Sequence, residues 1–130
     1  MKLMAAMQLL LPGMPFIYYG DEVGLTGGHD PDCRRGMLWD QKRQDQEMLS
    51  YYKRLISIRK DNPCLTEEDG MQSADDENGL VTIIRGDLVV LFHGKDGNVH
   101  LPQFAGKLEL ISNKPFAGEL GPYQAAVLRK

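Results

Sequence analysis

The residues best equipped for chemistry cluster between Asp21 and Trp39, within Pro12–Asp40 (PGMPFIYYGDEVGLTGGHDPDCRRGMLWD). Asp30 and Arg34 stand four residues apart, with Pro31 stiffening the loop between them. A carboxylate acceptor beside a planar guanidinium fork suits the vicinal hydroxyls of a sugar, and equally makes a surface ion pair. Trp39, Tyr18 and Tyr19 offer stacking faces, although the tyrosines lie in an apolar burst that assigns them to packing. Asp21 and Glu22 are adjacent. A glycosidase needs two carboxylates about 5–10 Å apart across one bond, with one kept protonated. Neighbouring residues do not easily face one bond together, so these two are read as loop-capping acids paired with Arg34 or Arg35. Asp30 and Asp32 match no calcium-loop pattern, and no metal or cofactor is expected.

Other catalytic patterns are missing. The chain has no phosphate-binding GxxxxGK[ST], no GxSxG nucleophile elbow and no HExxH, and its GLTGG run is not a dinucleotide fingerprint. His29, His93 and His100 show no ligand spacing, and the last two fall among predicted strands. Cys33 and Cys64 form no CxxC pair and are too few for a disulfide framework, which points to free thiols in a reducing, cytoplasmic setting. A net charge of -3 over 130 residues lacks the basic footprint of a nucleic-acid partner. Met1–Leu11 imitates a signal peptide, but Gln8 interrupts the apolar run and no A-x-A site follows. No run approaches the roughly 20 apolar residues of a membrane span.

The elements that must position the loop follow from periodicity. Leu3, Met4, Met7, Leu10 and Leu11 mark one face of a helix over Lys2–Leu11, stopped by Pro12-Gly13. Pro15–Tyr19 is short and aromatic, and reads as a buried, parallel strand. Glycines and a proline keep Gly20–Gln41 in a long loop. A second helix is expected over Gln44–Lys60. Its buried face would be Met48, Tyr52, Leu55 and Ile56, with Lys53, Arg54, Arg59 and Lys60 toward solvent. Acidic turn runs between Leu65 and Gly79 mark a change of composition. Beyond them, LVTIIR and LVVLFH flank Gly86-Asp87 as a hairpin. Short strands follow near Val99–Leu101, Lys107–Ser112 and Tyr123–Leu128, with turns at Asn113–Pro115 and Gly118–Pro122. The pattern predicts a helix–strand–helix unit over residues 1–64 and a small antiparallel Greek-key sandwich over 65–130.

The quoted stretch also resembles a known family. P-G-x-P-x-I-Y-Y-G-D-E-x-G is similar to the eighth-strand region of the α-amylase glycoside hydrolases. G-G-x-D-P-x-C-R-x-x-M-x-W resembles the neopullulanase, cyclomaltodextrinase and maltogenic amylase group within them. RLISIRKDNPCL and the late PYQAAVL extend the resemblance over nearly the whole chain. It implies α/β plus all-β architecture: the last helix–strand–helix slice of a (β/α)8 barrel followed by a C-terminal β domain. It implies that Asp30 and Arg34 hold a sugar of an α-glucan or maltooligosaccharide substrate, and that Glu22 is a structural acid. The family's catalytic carboxylates lie on earlier strands, so none is assigned here. The chain is therefore expected to be a glycosidase part that is inactive alone and that self-associates through uncovered barrel surfaces. The competing expectation is a non-catalytic carbohydrate-binding or assembly module worked by the β region.

Overall fold

The structure, a computed structural model, describes residues 1–67, 70–112 and 115–130. The expected turn residues Glu68-Asp69 and Asn113-Lys114 lie outside the described residues. Helix α1 spans Lys2–Leu10 and α2 spans Gln46–Asp61. Seven strands follow: β1 (Met71–Asp75), β2 (Leu80–Arg85), β3 (Leu88–His93), β4 (Val99–His100), β5 (Leu108–Ser112), β6 (Glu119–Leu120) and β7 (Gln124–Arg129). Five of them make an antiparallel sheet in the order β1-β2-β3-β7-β5, and β4 pairs with β6 in a separate ribbon.

The sheet sits between two layers. Ile83, Leu88, Val90, Phe92, Ala125 and Val127 meet the helices on one face. Leu80, Val89, Leu91, Ala126 and Leu128 point to the other, against Val99, Leu101 and Leu120 of the ribbon region. Residues alternate faces along a strand, so a central strand covered on both sides must be apolar throughout. β3 meets that condition, with all six residues buried. The architecture is a small antiparallel sheet carrying two helices on one face.

Three expectations change. Pro15–Tyr19 forms no ladder with any described strand; Phe16 is 74% exposed, and Tyr18 and Tyr19 are about two-fifths exposed. A strand holds its place through a neighbour's backbone, and no described strand pairs with this segment. The tyrosines are consequently not core residues. In α1 the fully buried side chains are Ala5, Ala6, Leu9 and Leu10, while Met4 faces out. The two alanines permit close approach, and Leu3, Met7 and Leu11 flank that contact. In α2 the buried set is Met48, Tyr51, Tyr52, Leu55 and Ile58, and Ile56 turns outward. Two basic residues assigned to solvent also bind backbone. Arg54 donates to the Leu110 carbonyl at 3.0 and 3.2 Å, and Arg59 reaches the end of α1.

β1 and β6 were not expected as strands. Every residue of β1 is exposed, so it has no apolar alternation to betray it, and β6 occupies part of a predicted turn. Arg85, at the end of β2, is 1% exposed on the helix face. Its guanidinium makes no hydrogen bond among the described residues. No described helix is long and apolar enough to cross a membrane.

Candidate binding loop

Asp45 starts both α2 and the support for the loop. Its carboxylate accepts from the Met48 N–H at 2.9 Å, the side-chain cap an exposed helix start requires. Its own N–H donates to the Val23 carbonyl at 3.0 Å, which fastens the loop to the helix. Val23 is buried beneath that contact.

The first loop turn is closed locally. Leu25 N–H reaches the Gly20 carbonyl at 2.8 Å, and Glu22 Oε2 accepts from Gly20 N–H at 2.8 Å. Glu22 thus caps the turn, and neither Asp21 nor Glu22 forms an ion pair with Arg34 or Arg35 among the described contacts. Burial, and then the neighbouring Glu22 charge, raise the Asp21 carboxyl above its ordinary range. Gly20 sits at φ +94°, in the left-handed region where a side chain is strained.

The second turn carries the charges. Asp32–Arg34 form one 3-10 turn, with Arg34 N–H on the Pro31 carbonyl at 3.0 Å. Arg34 closes on Asp30 through Nε at 2.8 Å and through Nη2 at 2.5 and 2.6 Å to the two carboxylate oxygens. Arg35 makes a parallel fork on Asp32, at 2.6 and 2.8 Å. Asp32 also accepts from Gly28 N–H at 2.7 Å. Arg35 first, and then that N–H, hold the Asp32 carboxyl below the usual range, while Asp32 raises Arg35.

Backbone approaches fix the outline. A β-carbon on Gly27 would fall 2.8 Å from the Cys33 Cα, so only glycine fits where these segments pass. Tyr19 Oη donates to the Arg35 carbonyl at 2.8 Å, tying the extended segment to the charged turn. The Tyr18 and Tyr19 rings lie 4.8 Å apart at 37°. Between them, Leu25, Thr26 and Cys33 lies a cavity of about 210 Å³. Trp39 is 80% exposed.

Asp30 and Arg34 are therefore brought together, and their side chains remain more than half exposed. The Asp32–Arg35 fork and the Tyr19 tether were missed; the three-residue spacing of Asp32 and Arg35 was the available signal for the first. With both Asp30 oxygens engaged by Arg34, the carboxylate is poorly placed to shuttle protons. The pair suits recognition of hydroxyl groups. No group of three or more His, Cys, Asp or Glu side chains could hold a metal among the described residues.

Comparison with known proteins places this geometry in context. No protein-family profile matches the chain. Neopullulanase 2 of Thermoactinomyces vulgaris is 32% identical over 145 aligned positions, covering 98% of this chain and 25% of that protein. Cyclomaltodextrinase of Thermoanaerobacter pseudethanolicus is 52% identical over 62 residues, covering 48% of this chain and 11% of its own length. Among solved structures, the maltogenic amylase from S. marinus superposes with a TM-score of 0.82 at 30% identity, covering 98% of this chain and 19% of the enzyme. The chain thus spans a quarter or less of each of these relatives. By sequence and by fold it belongs with the cyclomaltodextrinases, maltogenic amylases and neopullulanases, glycosidases of the α-amylase type.

Proposed function

We propose that the chain is the C-terminal part of an α-glucan-degrading glycoside hydrolase, contributing a substrate-holding loop and a stabilising β domain. The observation that carries this reading is the alignment with neopullulanase 2 over 98% of the chain, joined to the match with a maltogenic amylase fold. In the whole enzyme, two carboxylates outside this chain cleave α-1,4 or α-1,6 glucosidic bonds with retention, through a covalent glycosyl intermediate. Residues 1–64 form the closing helix–strand–helix part of the (β/α)8 barrel, where Pro15–Tyr19, unpaired among the described strands, gains neighbours and becomes the eighth strand. Residues 65–130 form the Greek-key β domain behind it. The protein works in the cytoplasm, without cofactor.

Asp30 and Arg34 contact a sugar next to the one being cleaved. Their fork geometry and exposure support this, since a paired carboxylate and guanidinium still present donor and acceptor edges to hydroxyls. The chain alone holds substrate and does not cut it. Incubation of the 130-residue chain with maltotriose or cyclodextrin tests that statement: no glucose or maltose should appear, and enzyme-dependent release of either contradicts it.

The uncovered surface of α1 supports a missing neighbour. Met4, Met7, Leu11 and Pro12 line an apolar groove of about 660 Å³, and Met14 and Phe16 project nearby in sequence. Preceding barrel elements cover this groove in the whole enzyme, and the isolated chain covers it by self-association.

A further inference from the structure

The β4–β6 ribbon carries a second recess that the loop does not explain. Asn98, Ala117, Glu119, Gly121, Pro122 and Gln124 are among the residues lining a cavity of about 380 Å³. That size falls in the roughly 300–1,000 Å³ range of small-molecule sites. Buried polar groups hold the Gly121 backbone that lines it. His93, 2% exposed, lies with Nδ1 2.7 Å from the Gly121 carbonyl, so this nitrogen carries the proton. Gln124, 4% exposed, accepts from the Gly121 N–H through Oε1 at 2.6 Å. Both backbone groups of Gly121 are thereby held.

The walls are held as well. Glu119 accepts from the Asn98 amide on one oxygen, and its other oxygen lies 3.0 Å from His100 Nδ1. Gly121 leaves the recess open: a β-carbon there would stand 3.2 Å from Gln124 Oε1 and 3.7 Å from Asn98 Oδ1. Its φ lies outside the left-handed region, so space rather than backbone conformation separates glycine from a larger residue here.

Tyr123 lies in sequence between Pro122 and Gln124, two residues that line the recess. It is the one non-glycine residue at positive φ among those described, at +52°, and is 53% exposed. After Pro122, glycine or asparagine would take that turn position at lower cost. A bulky aromatic side chain is held there in a strained backbone conformation, beside two recess residues and half open to solvent.

We propose that this recess binds an α-glucan oligosaccharide, with Asn98, Glu119 and Gln124 engaging hydroxyls and Tyr123 offering a stacking face. Amides and a carboxylate set between proline and alanine match a ligand whose hydroxyls both donate and accept over an apolar ring face. The choice of glucan rests on the function proposed above; the recess itself does not depend on Asp30 or Arg34.

The test is a maltotriose titration of the isotope-labelled 130-residue chain, read by amide chemical shifts. Saturable shifts are expected at Asn98, Gly121 and Tyr123, weakened at least tenfold in Gly121→Val and in Tyr123→Ala. Asn98→Ala, which removes an exposed side chain, supplies the same readout if Gly121→Val does not fold. Shifts confined to Gly28–Arg34 overturn this site while leaving the loop reading intact. Shifts at the recess that persist unchanged in Gly121→Val and Asn98→Ala overturn it too, as does the absence of any shift. Shifts at the recess alone support it and count against the loop.

Discussion

The Arg59 guanidinium donates to the Leu11 carbonyl at 2.8 Å, joining α2 to the carboxyl end of α1 across 48 residues of chain. The same group donates to Leu9 at 2.7 Å and Gly13 at 2.6 Å. The last carbonyls of a helix have no partner within it, and here one side chain satisfies that of Leu9 together with those of Leu11 and Gly13 just beyond. Arg59→Ala is expected to lower stability by about 2 kcal/mol, because partly buried carbonyls lose charge-assisted bonds. Chemical denaturation of both proteins measures the difference, and a change within about 0.5 kcal/mol contradicts the role.

Arg85 makes the opposite case. A buried guanidinium with no hydrogen-bond partner among the described residues costs free energy that an apolar side chain of similar length does not. Arg85→Met is expected to raise stability by about 1–3 kcal/mol, seen as a higher melting temperature. A lower one would show that the charge is satisfied in solution.

Tyr51 gives the fold an alkaline limit. Burial against the helix–sheet core pushes its phenol up to about 12, from 10.0. The folded state thus keeps a proton that the unfolded chain gives up. Its contribution is complete below pH 10 and is lost as the pH rises toward 12. Denaturation midpoints should fall across that window, and Tyr51→Phe should flatten the fall. An equally steep loss in the variant contradicts the assignment.

Much of this was legible in the sequence. The Gly86-Asp87 hairpin, the unbroken apolar run of β3 and the switch of period after α2 followed from local residue types. The Asp30–Arg34 pair followed from spacing. What failed depended on partners distant in the chain. Pro15–Tyr19 has the composition of a buried strand and no ladder to join. Met4 continues the apolar face of α1, yet the cover it would need is not among the described residues. β1 is held by pairing with β2 and leaves no apolar trace. The Tyr19–Arg35 tether depends on a loop path that spacing does not encode.

The open face of α1 carries its own expectation. Met4 is 68% exposed and lines the apolar groove. The average mass of the isolated chain in sedimentation equilibrium should rise with concentration. Met4→Glu should reduce that rise, since a carboxylate on the contact face must be desolvated. A monodisperse monomer at every concentration contradicts self-association.

The central claim is that the loop holds sugar through Arg34 and Asp30. Calorimetric titration of maltotriose into the wild-type chain and into Arg34→Ala tests it most directly. Arg34 is exposed, so its removal should leave the fold intact. The account predicts saturable binding at the loop that weakens at least tenfold in Arg34→Ala, consistent with the loss of one charge-assisted fork. Identical binding by the two chains, or none by the wild type, contradicts it.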